Sequence, residues 1–150
     1  MALQTVLLAV GKNDVDRIDE LTQTVTDIAG PTGASVVIAH VFSEEEYDSV
    51  VDRLDFKSVS EADPDAVADR HSTVRDLRSR LDDAGIGYSV LGAVGDHGTE
   101  VVSLAEDANA DLVIVGGSKR SPTGKAVFGS VAQEVMLNAP CPVTFVRDNS

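Results

Sequence analysis

Five short apolar runs, each too brief for an ordinary helix and each followed or preceded by residues of helical periodicity, constrain this 150-residue chain more than any other feature. They are TVLLAV (Thr5 to Val10), Ala34 to Phe42, Gly87 to Val94, Asp111 to Gly116 and Pro142 to Arg147. They are rich in β-branched residues, and continuous apolar runs of this length read as strands buried on both faces. Between the first two, Val15, Ile18, Leu21, Val25 and Ile28 recur at spacings of three and four. This spacing predicts a helix, capped by Asn13 or Asp14 and stopped by Gly30-Pro31. Asp63-Pro64 opens another, with Val67, His71, Val74, Leu77 and Leu81 as its inward stripe and Gly85 as its end. Thr99 to Asn109 and Gly129 to Asn138 complete the set, the last with Val131, Val135 and Met136 facing inward. Ser43 to Glu61 is acidic and weakly periodic, which predicts a surface excursion that can include a helical turn. Strands alternating with helices imply right-handed crossovers. The expected architecture is a single α/β domain over residues 1–150, with a doubly wound, mostly parallel five-stranded sheet and helices on both faces.

Ligands of such sheets bind beyond the carboxyl ends of the strands, where strand order reverses. The loop after the fourth strand, GGSKRSPTGKAVFGS (residues 116–130), runs into a predicted helix N-terminus at that end of the sheet. It carries Lys119, Arg120 and Lys125, and no carboxylate occurs from Leu112 to Gln133. Helix N-terminal amides attract anions, glycines admit close backbone approach, and Ser130 can donate a hydroxyl. These features predict a phosphate-bearing ligand, cradled by Gly116, Gly129 and Ser130 and neutralised by the three basic side chains. The alternative is a structural turn whose basic residues are merely solvated.

The loop stands out because the rest of the chain is acidic, with 25 Asp and Glu against 12 Lys and Arg and a formal charge of −13. That balance excludes nucleic acid and anionic membrane surfaces as partners, since both require a positive footprint. Only four lysines are present, and such a surface suits concentrated salt, where the Debye length falls to ~3 Å at 1 M. A halophilic protein is the expectation. The N-terminus has neither a basic leader nor an apolar run long enough to span a bilayer, so a cytoplasmic protein is expected. Cys141 stands alone and reads as a small buried hydrophobe beside a strand.

Other chemistries find little support. "TGK" at 123–125 resembles the end of a P-loop, but Lys119 stands where its first glycine belongs and Ala126 replaces the magnesium-binding Ser/Thr. His40, His71 and His97 fall on a strand, a helix and a loop without ligand spacing, so no metal site is expected. Asp82-Asp83 follows the last apolar turn of a predicted helix rather than a strand end, the wrong place for the paired acids of a phosphoacceptor. No nucleophile and base can be paired, so no catalytic residue is assigned.

TVLLAV, the second-strand ending AHV, GDHGTEVVSLAEDANADLVIVGG and the tail GSVAQEVMLNAPCPVTFVR together resemble the universal stress protein family over nearly the whole chain. The resemblance implies a Rossmann-like, adenine nucleotide alpha hydrolase-like fold. It also implies a cytoplasmic stress-response module that binds ATP or another adenine nucleotide, with Mg²⁺ as a candidate companion. Nucleotide-binding members carry glycine, two residues, glycine, nine residues, then glycine and Ser/Thr. Gly116, Gly129 and Ser130 match this spacing, while Lys119 replaces the middle glycine. Such members commonly place an Asp after the first strand, where this chain has Gly11. By the same resemblance, Val41 supplies the adenine backbone contact, and Gly117 and Val131 are further candidate ligand-binding residues. The resemblance further implies a homodimer joined through the last strand, with further protein partners unspecified. The alternative within the same fold is a nucleotide-free dimeric interaction module. A related ATP-using pyrophosphatase ranks below both, because GKND lacks the Ser-Gly-Gly grip such enzymes carry.

Overall fold

In a computed structural model of the chain, describing residues 3–53, 63–117 and 129–147, all five strands pair in parallel in the order β3-β2-β1-β4-β5. The strands are β1 (Thr5–Val10), β2 (Ser35–Phe42), β3 (Tyr88–Val94), β4 (Leu112–Gly117) and β5 (Val143–Arg147). The helices are α1 (Ile18–Thr32), α2 (Glu44–Arg53), α3 (Pro64–Arg70), α4 (Ser72–Asp83), α5 (His97–Asp107) and α6 (Ser130–Asn138). The expected doubly wound sheet is present, and it is wholly rather than mostly parallel. β1 is central, with Leu8 aligned to Ile38 of β2 and to Ile114 of β4.

The continuous apolar character of the strands follows from two packed faces. Val6, Leu8, Val36, Ile38 and Ile114 meet Leu21 and Val25 of α1 and Val74, Leu77 and Leu81 of α4. Their alternates Leu7, Val37, Ala39, Val113 and Val115 meet Val101 and Ala105 of α5 and Ala132 and Val135 of α6. A third cluster, Phe42, Val50, Val67 and Ala68, lies at the carboxyl end of β2. Edge strand β3 is covered by α3: the Gly92 N–H donates to Asp65 Oδ1 at 2.7 Å, and a β-carbon on Gly92 would lie 2.0 Å from the Pro64 carbonyl oxygen. A side-chain acceptor thereby occupies a backbone donor that would otherwise invite a foreign strand.

Several local expectations are corrected. Lys12–Arg17 forms a 3₁₀ helix, so α1 begins at Ile18, and Val15, expected inward, is 61% exposed. Gly30-Pro31 does not stop α1. Pro31 lies in its last turn, and Gly33 ends it in the left-handed conformation (φ 71°), donating to the Ala29 carbonyl at 3.0 Å. The acidic segment after β2 contains α2, which the Ser43 hydroxyl caps by accepting from the Glu46 N–H at 3.2 Å. Three glutamates in its first turn suit the positive end of the helix. The helix predicted across His71 is two helices, because His71 is extended (ψ 137°) and caps α4, its Nδ1 accepting from the Thr73 N–H at 3.3 Å. On α6, Val131 and Met136 face outward and Ala132 takes the buried position beside Val135. No helix among the described residues is long and apolar enough to cross a membrane.

Candidate functional site

Strand order reverses between β1 and β4, and there a cavity of about 400 Å³ opens at the carboxyl ends of the strands. Ala9, Val10 and Gly11 form one wall and Val115, Gly116 and Gly117 the other. Val41 enters from β2, His97 and Val101 from α5, and Gly129, Ser130, Val131 and Ala132 from the start of α6. Seven expected site residues, Gly11, Val41, Gly116, Gly117, Gly129, Ser130 and Val131, therefore share one cavity. Lys119, Arg120 and Lys125 lie outside the described residues.

The glycines do different work. Gly129 is in extended backbone with open space where a β-carbon would stand, and it caps α6 by accepting from the Gln133 N–H at 3.0 Å. Lacking a side chain, it places no capping group between the first turn of α6 and the cavity. Gly117 lies against the Phe145 ring, 2.7 Å from where its β-carbon would be. Gly116, expected as a phosphate cradle, also makes room for a buried ion pair: a β-carbon there would sit 2.7 Å from Arg17 Cδ and 2.8 Å from Asp14 Oδ1.

That pair, Asp14 with Arg17, is the principal feature sequence reasoning missed. Asp14 is 8% and Arg17 6% exposed, and both line the cavity. Asp14 Oδ1 accepts from Arg17 Nη1, while Oδ2 accepts from the Gly11 N–H at 2.7 Å. A carboxylate thus enters the site although Gly11 occupies the position where an Asp was sought. The signal was the three-residue spacing of Asp14 and Arg17, one turn apart just beyond a strand end.

The three histidines, scattered in sequence, converge beside the cavity. His40 is 1% exposed, and its ring stacks on His71 with centroids 4.3 Å apart. Burial, then the neighbouring His71, pushes its pKa down to about 4, while a hydrogen bond to the Val10 backbone and the Glu46 charge oppose the shift. His97 Nε2 lies 3.4 Å from Glu46 Oε1 on α2. Among the described residues no group of three or more His, Cys, Asp or Glu is placed to hold a metal ion.

Residues 3–147 match the model of the universal stress protein family. A universal stress protein of Mycolicibacterium smegmatis is 37% identical over 84 residues, covering 55% of this chain and 65% of that relative. One from Methanothermobacter thermautotrophicus is 28% identical over 134 residues, covering 87% and 88%. Among solved structures, a universal stress protein from Archaeoglobus fulgidus superposes with a TM-score of 0.70 at 23% identity, covering 98% of this chain and all of that one. One in complex with cAMP gives 0.67 at 21%, covering 98% of both chains. An Arabidopsis thaliana member with AMP bound gives 0.65 at 14%, covering 98% of this chain and 93% of that one. With the family model matched from the first strand to the last, the chain belongs to the universal stress protein family.

Proposed function

We propose that this chain is a stress-response binding module that holds an adenine nucleotide or another phosphate-bearing ligand in the cavity between β1 and β4. The observation that carries the reading is the meeting of Gly11, Val41, Gly116, Gly129 and Ser130 around one cavity at the reversal of strand order. The N-terminus of α6 opens there without a side-chain cap, and helix N-termini favour phosphate. Structural neighbours bound to cAMP and AMP support the adenine class. Asp14 is already engaged by Gly11 and Arg17, so it is poorly placed to ligate Mg²⁺, which would travel on the phosphates of a polyphosphate ligand. The same engagement disfavours Asp14 as a general base, in keeping with binding rather than catalysis. β5 is an edge strand carrying Val143 and Phe145, and pairing it across a two-fold axis would make the expected homodimer.

A ligand that binds only the folded state stabilises it by ~2.7 kcal/mol at a hundred times its Kd. ATP, AMP or cAMP should therefore raise the melting temperature at constant salt. Ser130→Ala with Lys125→Ala should abolish that rise without altering the unliganded melt. Wild-type melts unmoved by millimolar nucleotide would overturn the reading.

A further inference from the structure

The walls of the cavity carry an unusual balance of charge. Asp14 and Arg17 pair with each other, so their charges cancel across the site. The rest of the described wall is apolar or backbone, apart from the Ser130 hydroxyl and one imidazole, that of His97. A histidine is the side chain that ordinarily changes charge between about pH 5 and 8. Within a domain of charge −13, one positive charge on the wall of a low-dielectric cavity weighs on whether an anion can enter.

His97 is also held in place. It is the first residue of α5, and Gly98 behind it packs so closely on α6 that a β-carbon there would fall 1.8 Å from Glu134 Oε2. Thr99 Oγ1 donates to Asp96 Oδ2 at 2.8 Å and lies 3.2 Å from Glu134 Oε1, fastening the start of α5. From α2, Glu46 Oε1 lies 3.4 Å from His97 Nε2, which orients the ring.

We infer that His97 is a ligand-contacting residue of this cavity, whose imidazolium, oriented by Glu46, gives affinity for a phosphate-bearing ligand a dependence on protons. The inference rests on the phosphate-ligand reading of the same cavity. The charged and titratable groups around His97 are Glu46 of α2, His40 of β2 and Asp96 of its own cap, with Asp14 and Arg17 on the same cavity wall and Glu134 of α6 against the adjoining Gly98. Among them the other histidine, His40, stays neutral down to about pH 4, so it does not imitate His97 at milder pH.

The test is isothermal titration of AMP into wild-type protein and His97→Gln at pH ~5.5 and ~8, at fixed salt. Taking the ratio of wild-type to His97→Gln affinity at each pH cancels the second ionisation of the ligand's own phosphate. That ratio should be about fivefold at the lower pH, the upper range for a partly exposed ion pair, and near one at the higher. Adenosine, which carries no phosphate, should show a flat ratio. AMP binding whose ratio is the same at both pH values would overturn the role of His97 and leave the nucleotide site standing. A wild-type protein that binds AMP at neither pH would overturn the inference and the site together.

Discussion

Gly116 of β4 lies directly beneath the Arg17 side chain, with no room for a β-carbon between the strand and the buried Asp14–Arg17 pair. The relationship ties a glycine of the family loop to a charge pair inside the cavity. It gives that glycine a packing reason that is independent of any ligand.

Gly116→Ala should therefore destabilise the unliganded protein by about 1–3 kcal/mol, the usual cost of overpacking, because the ion pair must shift or break. Gly129→Ala, whose β-carbon meets nothing, should cost less than about 1 kcal/mol, the loss from a poorer N-cap. Urea denaturation of the two variants checks the contrast. Equal midpoints would mean that the pair relaxes freely around the added methyl.

Stability should also fall as the protein is acidified from about pH 6.5 towards pH 4. His40 has its folded pKa depressed from 6.5 to about 4, so across that window the unfolded chain binds more protons than the folded one. Stability therefore rises with pH there, and the contribution is complete above about pH 6.5. A shift of this size corresponds to on the order of 3 kcal/mol. Carboxylates titrate in the same range, so the measurement is the difference between wild type and His40→Gln in urea melts at several pH values. A difference independent of pH would show that the buried ring does not resist protonation.

Salt should stabilise the protein strongly. The charge of −13 on one small domain repels itself, and counter-ions shorten the range of that repulsion from ~10 Å at 0.1 M to ~3 Å at 1 M. Thermal melts in potassium chloride should rise between those concentrations. A flat response would remove the high-salt explanation for the acidic composition.

Strand identity and sheet class were legible in the amino-acid order alone, because a run such as LVIVG has no polar face and can only be buried on both sides. That Gly116, Gly129 and Ser130 would line one cavity was legible for a related reason, since chain order in an α/β fold dictates which loops meet where the strands reverse, whereas Gly11 entered only through the family resemblance. Local periodicity misjudged the ends of elements. It halted α1 at Pro31, although a proline in the last turn displaces few hydrogen bonds and Gly33 is the residue that turns the chain. It ran one helix through His71, whose ring instead stacks on His40. The capping serine of α2, followed three residues later by Glu46, was a readable signal obscured by the acidity around it. What only the tertiary structure decided is which distant polar groups became neighbours. His40, His71, His97 and Glu46 lie on separate elements, and Asp14–Arg17 faces a glycine about a hundred residues away. Residue type records that a group is polar or titratable. Its partners, its burial and so its charge depend on the crossovers and strand register that bring the carboxyl ends of β1, β2 and β4 together.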